Sequence, residues 1–364
     1  MSIDFAALKS APRILIEAAL QPVQGKRFQP TGFPDLGPAL YDAPDGNGGV
    51  IPTLLIESAQ SMANRLEAVC WDEGNNTIAE ALKGLPYVLV KLAGLGDGTD
   101  TTTSLQEFHR LNSPYIMSGT LGDKSFADVL KPQLGMSTVA GKPKKEKKGA
   151  AAESIAEVPS AEAEKEPDDV AGVVNLRKLA AVCFKYDPNS LIHGIFLEKI
   201  AGRLRHPRAL SAFIEASGVG RADSGGVKFD RVLPKPSVAG VDAKGGYGNV
   251  PFHRTEFTAQ SITAYFSIDL AQIRGYGLPD DATNLLIALS LWKVRQFLDS
   301  NMRLRTACEL ELVNGSSSIV VKRPDKFVFP ESTAFGNSIA TLIGKCQELF
   351  AKPIVTELTW SNSK

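Results

Sequence analysis

Between Lys199 and Arg254 ten Lys and Arg residues face only four carboxylates, Glu215, Asp223, Asp230 and Asp242, with His206 and His253 in addition. Phe229, Tyr247 and Phe252 are interleaved with these charges. A basic strip of this kind tracks a phosphate backbone, and aromatic faces stack on unpaired bases at about 1–3 kcal/mol each. Arg203, Arg205, Lys244, Tyr247, Phe252, His253 and Arg254 are therefore candidate nucleic-acid contacts, with a solvated, salt-bridged surface as the bland alternative. A second candidate surface begins at Ser58. Ser58, Gln60, Ser61, Asn64 and Arg65 surround the first two turns of an expected helix, opposite its apolar stripe. Backbone N–H groups at a helix N-terminus favour phosphate, and short polar side chains add donors. An ordinary hydrated helix face would read the same way.

Signatures of catalysis are absent from the sequence. There is no H-E-x-x-H, C-x-x-C or G-x-S-x-G. Gly344-Lys345-Cys346 lacks both the upstream glycine and the Ser/Thr with which a P-loop holds phosphate and magnesium. His109, His193, His206 and His253 are far apart. Asp35, Asp42 and Asp45 lie in a loop rich in Gly and Pro, where turn chemistry explains them as well as metal binding does. Nothing here demands an enzyme, a metal or a cofactor.

The elements that must carry these residues follow from composition and periodicity. The 364 residues balance 40 Lys+Arg against 40 Asp+Glu, with 43% hydrophobic and 22% charged residues, as in an ordinary globular chain of about two units. No apolar run reaches the roughly 18 residues that cross a bilayer, and no secretory signal opens the chain. Cys70, Cys183, Cys308 and Cys346 are widely spaced in apolar surroundings, as expected of reduced thiols in a cytoplasmic protein. Residues 139–170 differ from the rest: five lysines in 142–148, then seven acids in 153–169, with almost no large apolar residues. Such a stretch cannot bury enough surface to offset its ordering entropy, so it reads as a flexible insertion dividing 1–138 from 171–364.

Strands are expected at 13–20, 51–56, 87–92, 179–184, 190–197 and 261–270, and a hairpin at 309–313 and 319–321 around Asn314-Gly315. Helices are expected from Ser58 to Trp71, over 208–216, and over 281–299. Segments 109–117 and 126–134 read as short helices or loops. The glycines at 225, 226, 240, 245, 246 and 248 suggest a mobile arm over about 218–253, with 227–230 as possible strand. Irregular mixing of strands and helices favours an α+β fold, an antiparallel sheet carrying helices on one face.

Ile51-Pro52-Thr53-Leu54-Leu55-Ile56-Glu57-Ser58-Ala59-Gln60-Ser61-Met62-Ala63-Asn64-Arg65-Leu66-Glu67 closely resembles the signature of the backbone subunit of type I-G (formerly I-U) CRISPR effector complexes, in the RAMP superfamily. The opening Pro12–Ala18 with Gln24–Phe33 (QGKRFQPTGF), and Gly245–Arg254 (GGYGNVPFHR), resemble the same family, so that the likeness spans nearly all of the chain except 139–170. It implies a modified RRM-like (ferredoxin-like) palm with an antiparallel sheet, inserted fingers and a thumb-like extension, for which 218–253 is the best candidate. Lys26, Arg27, Gln60, Ser61, Asn64 and Arg65 would then be palm contacts to RNA phosphates. The resemblance further implies CRISPR RNA as ligand, target DNA reached through the guide, and a head-to-tail filament of copies. Other implied partners are a large subunit, an RNA-processing RAMP subunit and a recruited helicase-nuclease. Two alternatives stay open: a RAMP endoribonuclease using Asp35, Asp42 or Asp45, and an unrelated α+β metabolic protein.

Overall fold

The computed structural model describes residues 3–33, 35–93, 95, 100–136, 176–197, 200, 204–235, 242 and 244–362. The charged stretch 139–170 and Arg203 lie outside the described residues. The chain forms two compact units, each gathered from separated stretches: 1–83, 209–273 and 284–342 make the first, and 84–208, 274–283 and 343–364 the second.

The first unit is built on alternation. Strand β1 (Arg13–Pro22) buries Ile14, Ile16, Ala18 and Leu20 on one face. Strands β2 (Leu40–Pro44) and β3 (Val50–Glu57) follow, and then helix α1 (Ala59–Ala68). After the second unit's main stretch the chain returns as β4 (Leu210–Ser217), β5 (Gly220–Lys228), β6 (Val250–Thr258) and β7 (Ser261–Asp269). Helix α2 (Asp280–Asp299), which belongs to this unit from Asn284 on, leads into β8 (Met302–Arg305), β9 (Cys308–Ser316) and β10 (Ile319–Arg323).

The sheet runs β8-β9-β1-β7-β4-β3-β2, with β10 also on β1, and all its pairings are antiparallel. Because β1 and β4 each pair antiparallel with β7, they are parallel to one another, and the chain passes between them by way of α1. Likewise it passes from β7 to β9 and β10 by way of α2. On the buried face Ile262, Ala264, Phe266 and Ile268 of β7 align with the β1 set and with Leu210, Ala212, Ile214 and Ala216 of β4. A one-residue slip would turn all of them to solvent, so this alternation fixes the register. Met62, Ala63 and Leu66 of α1 are buried, as are Leu289, Trp292 and Phe297 of α2, and Phe297 meets Phe266 edge-on at 6.2 Å.

Two expectations are corrected here. Residues 208–216 form strand β4: the Ala- and Leu-rich sequence suggests a helix, but Leu210, Ala212, Ile214 and Ala216 are buried at period two, and pairing overrides propensity. The expected hairpin at 309–321 does not fold back on itself in the sheet. Both β9 and β10 pair antiparallel with β1, Leu312 opposite Leu20 and Ile319 opposite Ala18, and the residues between them loop out. Gly225 and Gly226, in the arm expected over 218–253, stand in a paired two-stranded ribbon, β5 with β6.

In the second unit Tyr87–Ala93 pairs in parallel with Val355–Ser361 and antiparallel with Thr101–Thr103. Residues 176–186 and 189–193 are helices, contrary to the expected strands. Leu179, Ala180, Cys183 and Phe184 are buried at helical spacing; the run looks like a strand only when Leu176-Arg177-Lys178 is left out. Of the second expected strand only Ile195–Leu197 is extended, paired with Leu204–His206. Phe126 of the helix Phe126–Gln133 packs edge-on against Tyr186 at 5.1 Å. The whole is α+β. All four cysteines are buried and none is in a disulfide. Among the described residues no helix is long and apolar enough to cross a membrane.

Candidate nucleic-acid interface

Strand β3 ends in a bulge that governs the first part of the site. Glu57 stands opposite Ile214 and Leu55 opposite Glu215, so Ile56 is an extra residue on β3. Bulges re-aim side chains, and here both Ile56 and Glu57 are buried. Ser58 caps α1 with extended backbone, its Oγ accepting from Ser61 N–H at 3.3 Å. Inside the cap, Glu57 Oε1 accepts from the Ser61 hydroxyl and, at 2.7 Å, from Arg65 Nε. Its other oxygen pairs with Arg305 Nη2. Arg65 also donates to the carbonyls of Arg303, at 3.5 Å, and Leu304. Burial pulls both guanidiniums below their usual pKa and pushes the Cys308 thiol up to about 11. Arg65 is thus committed to internal bonds, whereas Gln60 is exposed and bonds to Asn64 within the helix.

The loop after β1 is pinned rather than free. Phe28, 1% exposed, exchanges two 2.9 Å backbone bonds with Phe257 of β6. Gln29 N–H donates to Ala307 O at 2.8 Å, and Thr31 N–H to Ile56 O at 3.0 Å, while Arg305 Nη1 donates to Gln29 O at 3.1 Å. Gly25 turns the loop at φ +65°, in open space. Lys26 and Arg27 are thereby held beside β6. Arg27 and Arg254 both pair with Glu256, at 3.2 and 2.7 Å. A cleft of about 300 Å³ opens there, lined by Lys26, Arg27, Arg254, Glu256 and Glu309 among others.

Ribbon β5–β6 extends the β4–β7 pair beyond Gly218 (φ +64°). At Gly225 a Cβ would stand 2.5 Å from the Phe252 carbonyl oxygen, so only glycine allows the strands this approach. Lys228 Nζ lies 5.8 Å from the Phe252 ring centroid. At the ribbon's tip Asp230 accepts from the N–H groups of Val232, Leu233 and Gly248, which hold its carboxyl below the usual range. Tyr247 and Phe229 are exposed there, and so is Lys244.

The structure therefore gathers Lys26, Arg27, Ser58, Ser61, Arg65 and Arg254 around one stretch of the first unit, with Gln60 and Asn64 bonded to one another on the same helix. Lys244, Tyr247, Phe252 and His253 lie on the ribbon and its tip. Arg205 belongs to the second unit, on a strand opposite Phe196. Sequence reasoning missed Glu57, Glu256, Arg303 and Arg305. An acid within an apolar signature (Glu57) and one two residues after Arg254 on the same strand (Glu256) were the available signals. Asp45 Oδ1 accepts from Asn47 and Gly49 N–H, the turn role. Among the described residues no group of three or more His, Cys, Asp or Glu could hold a metal ion.

A model of the family described as CRISPR-associated protein GSU0053 (Cas_GSU0053) matches residues 14–221, more than half of the chain. The chain belongs to that family. The match takes in the pinned loop, the β3 bulge and α1, and ends at the start of the ribbon. Among solved structures, this GSU0053-family chain is similar to a chain of "CRISPR RNA-guided surveillance complex, pre-nicking", with 13% identity and a TM-score of 0.35, over 93% of this chain and 89% of that one. It is also similar to Thermofilum pendens Csc2, with 10% identity and a TM-score of 0.29, over 96% and 81%. At such scores the assignment rests on the family model. No curated protein matches the chain.

Proposed function

We propose that this GSU0053-family chain is a non-catalytic, CRISPR-RNA-binding backbone subunit of a type I-G surveillance complex. On this reading the sheet with α1 and α2 is an RRM-like palm of the RAMP kind, and ribbon β5–β6 with its tip is the thumb. The observation that carries it is convergence. The segment Gln24–Phe33 bonds to Ile51–Glu67 through Thr31–Ile56, to β6 three residues beyond Arg254 through Phe28–Phe257, and to the turn between β8 and β9 through Gln29–Ala307. These bonds bring together six cations, Lys26, Arg27, Arg65, Arg254, Arg303 and Arg305, against three carboxylates, Glu57, Glu256 and Glu309. A local basic surface on a chain of zero net charge suits a ligand read through its phosphates, and any spacer sequence must be accepted. Copies would associate head to tail, a heterologous contact that leaves the polymer open and lets the RNA set its length.

The test is to co-express the chain with a repeat-spacer transcript and neighbouring subunits, then vary spacer length. Co-purifying guide RNA and particle mass rising stepwise with the spacer are expected. A nucleic-acid-free particle of fixed mass would overturn the reading.

A further inference from the structure

We propose that Glu256 is a positioning residue that aims Arg27 and Arg254 as a paired clamp for one phosphodiester group of the bound strand; this rests on the RNA-binding reading above. Glu256 lies on β6 with its side chain 4% exposed, yet the two guanidiniums that share its carboxylate are 57% and 38% exposed. Each oxygen takes one arginine: Oε2 faces Arg27 Nη1 and Oε1 faces Arg254 Nη2. Among the described residues neither arginine has another ion-pair partner. A guanidinium carries five N–H donors in a rigid planar fork. One edge of each fork is therefore anchored from below, and the remaining donors are left for the cleft.

The surroundings match a monoanion in a chain of them. Lys26 lines the same cleft, so three cations meet the buried Glu256 and a second acid, Glu309, which Arg303 pairs at 3.2 Å. The backbone bonds between Phe28 and Phe257 fix the Arg27 loop to the strand that carries Arg254 and Glu256, which sets the spacing of the two forks. Among the described residues no aromatic side chain lines the cleft to stack on a base, so the clamp reads backbone and not sequence. This differs from Arg65 and Arg305, whose donors go to Glu57 and to backbone carbonyls and which serve as framework.

Charge counting and positioning predict opposite signs, and this makes the proposal testable. Replacing an acid beside a polyanion site should strengthen binding if only net charge matters. Loss of aim should weaken it. Binding of a fluorescein-labelled oligouridylate to the full chain is measured by anisotropy across a salt titration. For Glu256→Gln we expect about tenfold weaker binding, the scale of one lost hydrogen bond to a charged group, and a salt slope shallower by about 0.7 for each phosphate no longer neutralised. Glu256→Asp should recover part of the affinity. Arg27→Lys and Arg254→Lys keep the charge but lose the fork, and each should weaken binding severalfold while the chain stays folded. Glu256→Gln binding as tightly as wild type or tighter would overturn the proposal. If that variant fails to fold, two lysine variants that bind like wild type overturn it instead. Wild-type chain with no affinity for the oligouridylate would sink the RNA-binding reading itself, a separate outcome.

Discussion

Glu57→Ala should strongly destabilise the first unit. The carboxylate is fully buried and holds the Ser61 hydroxyl and the guanidiniums of Arg65 and Arg305. Removing one partner of a buried ion pair costs roughly 3–5 kcal/mol, because the other charge is left uncompensated. Arg65 and Arg305 keep 27% and 24% of their side-chain surface exposed, so water recovers part of that loss. About 2–4 kcal/mol remains, which for a unit of this size lowers the melting temperature by roughly 5–15 °C. Glu57→Gln keeps an acceptor for Ser61 and Arg65 and should lose about half as much. The assay is urea unfolding of both variants, with the slope against denaturant compared with wild type so that a changed midpoint reports stability alone. A Glu57→Ala chain within about 1 kcal/mol of wild type would refute the claim that this one acid joins α1 to the 303–308 turn.

Gly225→Ala should loosen ribbon β5–β6, since the new Cβ meets the Phe252 carbonyl oxygen at 2.5 Å; amide exchange over 220–228 and 250–258 should quicken while β1 and β7 stay protected. Lys293, fully buried, donates to Cys70 Sγ at 2.8 Å and Leu66 O at 3.3 Å rather than to a carboxylate, so Lys293→Met should match or exceed wild-type stability by about 1–2 kcal/mol in urea unfolding, and a loss of that size would count against it. Burial lowers the His206 pKa from its ordinary 6.5. The unfolded chain then binds the proton more readily, so stability is fully present above pH 6.5 and falls as the pH drops below it. Urea midpoints of wild type should decline as the pH falls below about 6.5, and His206→Gln should flatten that decline.

The elements legible in the sequence were those whose own periodicity matches their burial. Strand β7 alternates cleanly, helix α2 carries an apolar stripe through Leu289 and Trp292, and Ser58 announces the start of α1. Strand β4 was hidden by alanines, which favour helix locally but fit a sheet whose helices press close. Residues 308–323 look like a hairpin because the turn signal is real; what the signal cannot say is that both flanks find β1 a better partner than each other. The same holds for the site. Lys26, Arg27 and Arg254 are visible as charges, but their common carboxylate is not, because Glu256 reads as one acid among many until Phe28 and Phe257 pair. Arg65 reads as a phosphate contact until the bulge at Ile56 turns Glu57 inward beneath it.

The ribbon that prolongs β4 and β7 sets a graduated length. Each arm is nine residues long, so at about 3.3 Å per residue it reaches roughly 30 Å from its base. That reach can be tuned only in coarse increments. Removing one residue pair would turn the Phe252 face to the opposite side and rotate His253 into its place. Removing two pairs would restore the faces and shorten the arm by about 6.6 Å. Whatever the tip must touch, insertions and deletions in this family are expected to arrive in twos on both arms, so that the reach of the ribbon changes in steps set by its pleat.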